Sequence, residues 1–394
     1  LGSSFFQIQL TMKLTYLFLG CALLTPLHAL DSPAKWERFP DFSWEHVPRY
    51  MHIRKDTAFT ADEILYLATF PLITFEKSTG NKDQGSTEQG TINAARAVKA
   101  INPTTKILYY RNVIVHYGGY AANQTLEEIP GAFLVGKDGN AKLVRNTVPA
   151  YDLTNPILRD WWLANAQEVC AEPAIDGLFL DGVVKIMEES YLRNEIGPGK
   201  KAAVLAEYDR LMEDTRRLLG PKKLMVANIL RARFPDSGLS KMHALDGSYI
   251  EGFEGAVEMA EKDYVAKGIA AIQQAAQRGS IIAFTGGLEK NLQDADEASR
   301  AVGDNRETVE SGDRFTYVLA MFLICAERYS YFYLHDGYDA KKSKLWLTGA
   351  PEFDRPLGAP EGPAIRSGYT YAREFAHASV RLDIEKHTAT IQWR

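Results

Sequence analysis

The apolar positions of this chain gather into eight short runs, separated by longer stretches of helical period. The runs lie at 50–53, 71–76, 106–111, 177–181, 223–228, 246–251, 280–285 and 330–334. Runs of this length, bounded by turn residues, predict buried strands. Between them the period changes to that of helices. Thr60-Ala-Asp-Glu63 opens one with a capping threonine and early acids. A second covers 94–101 and stops at Asn102-Pro103. Asn155-Pro156 is a cap followed by a first-turn proline. Val204, Tyr208, Leu211, Thr215 and Leu218 share one face, and Gly220-Pro221 ends that helix. Two more helices are expected at 256–278 and 309–328.

Strands alternating with helices predict a parallel α/β architecture, and eight such units predict a (β/α)8 TIM barrel. A doubly wound sheet is the alternative, but no nucleotide-binding motif marks a switch point. The segment at 31–48, with Trp36, Phe39, Phe42 and Trp44, reads as an irregular lead-in packed on the rim. Loops are expected at 112–130 and 183–198, and a hairpin at 133–144 around Gly136-Lys-Asp-Gly139. After residue 339 the chain turns Pro/Gly-rich and then alternates apolar and polar residues. This predicts a small C-terminal β appendage. The divisions are a leader and signal at 1–29, the barrel at 30–338 and the appendage at 339–394.

Composition changes this picture little. The 394 residues are 46% hydrophobic and 24% charged, with a formal net charge of -5, an ordinary globular balance without the basic runs that nucleic-acid binding needs. The first 29 residues are not read as fold. Met12-Lys13, the apolar run 14–27 and the cleavage point at His28-Ala29 form a secretory signal pattern, too short for a membrane span. This predicts a secreted or periplasmic protein with no membrane attachment after cleavage; a lipidated Cys21 is the lesser reading. Cys170 and Cys325 remain, and whether they pair is left open. The eight histidines show no metal-ligand spacing, so neither a metal nor another cofactor is expected.

The candidate chemistry lies at the strand ends, which converge on one face of a barrel. Asp176-Gly-Leu-Phe-Leu-Asp181-Gly182 is echoed by Asp246-Gly-Ser-Tyr-Ile-Glu251-Gly252. Each has Asp-Gly, three residues, an acid and a glycine. Two strand-end carboxylates are the minimum equipment for cutting a glycosidic bond, one as nucleophile or base and one as general acid. Asp181, short and held between Leu180 and Gly182, suits the nucleophile. Glu251 reaches further and suits proton transfer to the leaving oxygen. Glu254 and Asp246 are rivals for that role, with Asp246 at the opposite strand end and better suited to capping a turn. The remaining candidates for binding substrate are Glu76, Tyr110, Arg111, His116, Asn228, Glu254, His335 and Asp336. Arg111 is also placed to partner Asp181 electrostatically. A carbohydrate is the expected partner.

The Asp181 motif, together with Tyr151-Asp-Leu-Thr-Asn-Pro156 and Lys106-Ile-Leu-Tyr-Tyr-Arg-Asn112, resembles the glycoside hydrolases grouped as hypothetical family fifteen. The resemblance runs from about Trp36 to the C-terminus and includes Arg373-Glu-Phe375. That family is similar to the α-galactosidase-like barrel superfamily, which includes the polygalactosaminidases. The resemblance implies a retaining glycosidase of α-linked sugars, with its nucleophile an Asp after the fourth strand, the place of Asp181. The superfamily often has an Asp as acid/base after the sixth strand; here that place holds Glu251, a departure. Two other readings are an inactive carbohydrate-binding barrel and a metal-assisted hydrolase built on Asp181, Glu251, His335 and Asp336.

Overall fold

The structure, a computed structural model, describes residues 37–256, 259–288 and 311–394. The leader and signal segment at 1–29 lies outside the described residues, as do Trp36 and the start of the helix expected at 309–328.

Eight strands follow one another in chain order around a single sheet. They are β1 (Met51–Ile53), β2 (Leu72–Phe75), β3 (Lys106–Asn112), β4 (Gly177–Asp181), β5 (Leu224–Asn228), β6 (Gly247–Ile250), β7 (Ile281–Gly287) and β8 (Ser330–His335). Every neighbouring pair is parallel. The seam between β8 and β1 is joined by single bonds rather than a full ladder. Tyr50 N donates to Phe332 O (3.1 Å), and Phe332 N to Pro48 O (2.8 Å). The result is the expected (β/α)8 barrel, nearly closed.

The outer helices are α1 (Ala61–Leu67), α2 (Thr87–Ile101), α3 (Pro156–Ala171), α4 (Val183–Met187), α5 (Pro198–Leu219), α6 (Glu261–Gln277) and α7 (Ser311–Cys325). Their starts follow local chemistry. Thr60 and Glu63 form a reciprocal capping box on α1. Asn155 accepts from Ile157 N (3.0 Å) at α3. Four expectations need correction. Helix α2 begins at Thr87 rather than Ala94, because Ser86 caps Gln89 N (3.1 Å). Residues 251–256 stay irregular, so α6 starts at Glu261. The 183–198 segment is not one loop, since it contains α4, whose Ile186 carbonyl accepts from Lys201 Nζ (2.6 Å). The 133–144 hairpin is also absent. The turn exists, with Gly136 N bonded to Asn140 O (2.8 Å). Its flanks pair elsewhere, Phe133 with Tyr151 and Val144 with Val148.

The echoed Asp-Gly pairs have a structural cause. Asp176 accepts from Ile107 N (2.8 Å) and Asp246 from Met225 N (2.9 Å), so each aspartate clamps the start of a neighbouring strand. A Cβ on Gly177 would lie 2.1 Å from Leu224 O, and one on Gly247 2.3 Å from Ile281 O. Only glycine lets the next strand approach this closely. Arg216 (2.6 Å) and Arg38 also pair with Asp246, confirming it as a group of the N-terminal rim. The lead-in closes that side of the barrel: Tyr331 OH donates to the carbonyls of Pro40 and Asp41, both at 3.1 Å.

The appendage is an antiparallel sheet of β9 (Ile365–Ser367), β10 (Thr370–Phe375), β11 (Ala378–Asp383) and β12 (Thr388–Trp393). Its inner face, including Phe375, Val380 and Leu382, is buried. Arg373 reaches from β10 to the C-terminal end of α7. It donates to Leu323 O (3.1 Å) and Ala326 O and pairs with Glu327 (2.8 Å). A cation there satisfies the terminal carbonyls and opposes the helix dipole. Cys170 and Cys325 are both free and buried; burial pushes the Cys170 thiol up to about 12. Among the described residues no helix is long and apolar enough to cross a membrane.

Candidate active site

The C-terminal strand ends open into a cleft of about 450 Å³. Side chains alternate along a strand, so Phe179 and Asp181 of β4 both face it. Phe179 forms the floor. Tyr110 stacks on it (5.7 Å, 19°), while Tyr249 (5.2 Å) and His52 (4.8 Å) meet it edge-on. This apolar base restricts polar contacts to the walls.

Asp181 is held by three neutral donors. Tyr110 OH (2.6 Å) and Asn112 Nδ2 (3.1 Å) reach Oδ2, and Asn228 Nδ2 (3.3 Å) reaches Oδ1. The Asn112 amide cannot turn round, because its Oδ1 accepts from Ile114 N (3.0 Å) and Val115 N (2.6 Å). Burial, reinforced by the Asp181 charge, pushes the Tyr110 phenol well above its ordinary range. It therefore stays a donor. Gly182 has φ +80, and a Cβ there would lie 2.5 Å from Asn112 Oδ1. The glycine after the acid is needed for both reasons.

Glu251 sits across the cleft just beyond β6. Its Oε2 accepts from Asn228 Nδ2 (3.0 Å) and lies 3.5 Å from Arg231 Nη2; its Oε1 is 3.5 Å from Tyr338 OH. One amide nitrogen thus bonds both carboxylates. The two bonds of 3.3 and 3.0 Å hold these oxygens within about 6 Å of each other. Tyr249 OH donates to Tyr338 OH (2.6 Å), which fixes that phenol.

Glu76, just past β2, is buried beside Arg54 Nη1 (2.5 Å), Lys77 Nζ (2.6 Å) and His52 Nε2 (4.0 Å). Burial opposes its charge, but these cations and the histidine outweigh it and hold the carboxyl well below the usual range. Glu76 is an anion that anchors Lys77 at the cleft wall, where the ammonium lies 5.5 Å from the Tyr110 ring centre and 5.3 Å from that of Tyr117.

Residues 99–379, more than half of the chain, match the model of hypothetical glycosyl hydrolase family 15. The chain belongs to this family. It is therefore a glycoside hydrolase, and its family match includes both Asp181 and Glu251. No curated protein matches the chain in sequence. Among solved structures, the glycoside hydrolase domain of PelA from Pseudomonas aeruginosa is similar over 64% of this chain and 86% of its own, at 13% identity and TM-score 0.40. The GH36 α-galactosidase AgaA from Geobacillus stearothermophilus, in complex with 1-deoxygalactonojirimycin, is similar over 88% of this chain at 11% identity and TM-score 0.50. This chain spans 49% of that enzyme's length. A maltogenic α-amylase, AmyB from Thermotoga neapolitana, is similar over 89% of this chain and 87% of its own, at 10% identity and TM-score 0.49. At such identities the likeness is one of fold.

Of the residues expected at the site of this glycoside hydrolase, Asp181, Glu251, Glu76, Tyr110 and Asn228 line one cleft. The others do not. Arg111 faces the helix layer, packed against the rings of Tyr120 (5.0 Å), Trp161 (5.4 Å) and Trp162 (5.6 Å). His116 lies 3.2 Å from Tyr151 OH in the loop after β3. Glu254 is locked by Arg314, with one bond of 2.9 Å and a second from Nη2. His335 is buried in a stack with Tyr338 (4.6 Å), lining a smaller cavity behind Glu251. Asp336 caps the following loop, accepting from Ser343 and from Lys344 N (2.7 Å). The metal-site reading needed Asp336 beside Asp181, and the chain does not bring them together. Among the described residues, Glu254, Glu261 and His387 have mutual ligand spacing, but neither Asp181 nor Glu251 belongs to that group.

Sequence reasoning missed His52, Lys77, Arg231 and Tyr338. Lys77 and Tyr338 lie two and three residues past strand ends, and that position was their only signal.

Proposed function

We propose that this glycoside hydrolase cleaves α-linked sugars with retention of configuration, using Asp181 as nucleophile and Glu251 as acid/base. The observation that carries the reading is the Asn228 amide donating to both carboxylates. It brings one oxygen of each carboxylate within about 6 Å of an oxygen of the other, which favours the close spacing of a retaining pair over the ~6.5–9.5 Å separation of an inverting one. In the first step Asp181 Oδ attacks the anomeric carbon and the glycosidic bond breaks. Glu251 gives its proton to the leaving oxygen. In the second step Glu251 takes a proton from water as that water displaces Asp181. The α-linkage is supported by the placement of the acids after β4 and β6, as in the α-galactosidase-like superfamily, and Glu76 and Asn228 would also contact sugar hydroxyls.

Export belongs to the same reading, supported by the basic start and apolar run at 12–29. Sequencing the N-terminus of the exported protein tests it, with a start near residue 30 expected.

The activity test is hydrolysis of a polysaccharide panel by wild type, Asp181→Asn and Glu251→Gln, followed by anomer-resolved NMR of the first product. Both variants should lose activity by several orders of magnitude, and the product should appear first as the α anomer. A β anomer would replace retention by inversion. Variants with full activity would remove the acid pair.

A further inference from the structure

We propose that Tyr338 positions the proton of Glu251, and that Oε1 is the oxygen from which Glu251 gives it. The glycosidase reading of the cleft underlies this, and Tyr338 adds a positioning residue to it. The two Glu251 oxygens have different surroundings. Oε2 accepts from Asn228 Nδ2 (3.0 Å) and faces Arg231 Nη2 (3.5 Å). Amide and guanidinium nitrogens only donate. A proton carried on Oε2 would be held against both of them. Oε1 lies 3.5 Å from Tyr338 OH, a hydroxyl that can turn to suit its neighbour. Contacts of this length at a catalytic group commonly tighten once substrate binds.

Tyr338 ends a row of buried hydroxyls drawn from four parts of the barrel. Tyr50 OH, just before β1, lies 2.9 Å from Thr285 Oγ1 of β7. Thr285 is also a hydrogen-bond partner of the Tyr249 phenol on β6. Tyr249 OH donates to Tyr338 OH (2.6 Å), and Tyr338 OH donates to Glu251 Oε1. Each hydroxyl has one proton to give. Because Tyr249 gives its proton to the Tyr338 oxygen, the proton of Tyr338 is directed at Glu251. Burial pushes the Tyr50 and Tyr249 phenols upward, so both stay donors at neutral and acid pH. Hydroxyls bonded in series polarise one another, which strengthens the last donor of the row.

Ring and backbone both hold the Tyr338 oxygen in place. The ring stacks on His335 (4.6 Å, 15°) and meets His52 edge-on (5.1 Å). The Tyr338 carbonyl accepts from Arg54 N (2.8 Å), which ties the loop after β8 to the end of β1. The consequence for the reaction is directional. With the Tyr338 proton aimed at Oε1, a proton carried on Oε1 is turned away from Tyr338 and toward the cleft that Glu251 lines. In the first step it passes from Oε1 to the glycosidic oxygen as the bond from that oxygen to the anomeric carbon breaks and the Asp181 ester forms. Tyr338 then donates to the oxygen left negative. In the second step a proton of the attacking water returns to Oε1 as the ester breaks. Tyr338 keeps its own proton throughout.

The test compares a leaving group that needs a proton with one that does not. Wild type, Tyr338→Phe, Thr285→Val and Glu251→Gln are assayed for kcat/KM on disaccharides and on glycosyl fluorides of the same sugars. A sugar oxygen must be protonated as it leaves, whereas fluoride departs with little help from an acid. Glu251→Gln sets the reference pattern, a loss of about a hundredfold or more on the disaccharide with most activity kept on the fluoride. Tyr338→Phe keeps the ring and should lose roughly tenfold on the disaccharide and less than about twofold on the fluoride. Thr285→Val interrupts the row two hydroxyls earlier and should show the same selectivity at about threefold. If Tyr338→Phe fails to fold in thermal melts, Thr285→Val carries the comparison. Equal losses on both substrates, or no loss on either, would overturn the role of Tyr338 while the Glu251 pattern stands. If Glu251→Gln lost both activities alike, or wild type cut neither substrate, the glycosidase reading of the acid pair would fall and the role of Tyr338 with it.

Discussion

Arg231 Nη2 donates to Asn228 Oδ1 at 2.6 Å. That bond decides which way the amide faces. With its oxygen held by the guanidinium, Asn228 can turn only its NH2 group toward Asp181 and Glu251. Arg231 Nη1 is itself anchored on Leu230 O (2.9 Å). The spacing of the acid pair thus depends on a residue three positions along the chain that bonds only one of the acids.

Replacing Arg231 by Lys should expose this dependence. Lysine keeps a positive charge near Glu251 but has no fork to hold Asn228 and Leu230 together. We expect kcat/KM to fall by about a hundredfold, as for a small misplacement of reacting groups. Steady-state kinetics over a range of pH checks this. A fully active Arg231→Lys would show that charge alone suffices.

Tyr110→Phe removes the shortest hydrogen bond to Asp181 (2.6 Å) while leaving the ring on Phe179. A hydrogen bond to a charged group contributes about 1.5–3 kcal/mol. The expected loss in kcat is roughly tenfold to a hundredfold, with thermal stability nearly kept. Parallel kinetics and thermal melts separate the two effects.

Glu76→Gln should act chiefly on stability. It leaves Arg54 and Lys77 buried without their anion, which costs about 3–5 kcal/mol. The pH dependence has a definite sign. The folded-state pKa of Glu76 lies below its unfolded value. Its contribution is therefore complete above the ordinary glutamate range and is lost as pH falls through the lower, folded value. Urea titrations between neutral and acid pH should show a smaller acid-side decline in Glu76→Gln than in wild type.

Gly177→Ala and Gly247→Ala should each destabilise the barrel by about 3 kcal/mol or more, because the added methyl meets strand backbone rather than a movable side chain. Chemical denaturation measures this, with Gly199→Ala as a reference, where nothing lies within 4 Å of the added Cβ. Equal stability of all three would contradict the strand-docking account.

The barrel was legible because each strand is a separate apolar run with turn residues at both ends. Asp181, Asn228 and Glu251 were legible because they terminate such runs. Arg111 was misplaced because β3 is buried on both faces, and a strand of that kind carries no alternation to show which side chains point inward. Tyr110 and Asn112 take the interior, and Arg111 between them must face the helices. The Asp-Gly echo was repeated for strand docking at one end, while the acids it led to lie at the other. Arg231 was hidden because its role depends on the path of the chain after β5, which no local pattern encodes. The appendage edge β9 was hidden for another reason: its residues are exposed and carry no apolar pattern.

The central claim is that Asp181 forms the covalent bond to the sugar. Wild type would be incubated with a panel of activated fluoroglycosides and digested, and the labelled peptide identified by mass spectrometry. The account predicts a glycosyl ester on Asp181 that is absent from Asp181→Asn and accumulates when Glu251→Gln slows its hydrolysis. A label on Glu251, or single-step turnover with inverted product and no label, would contradict it.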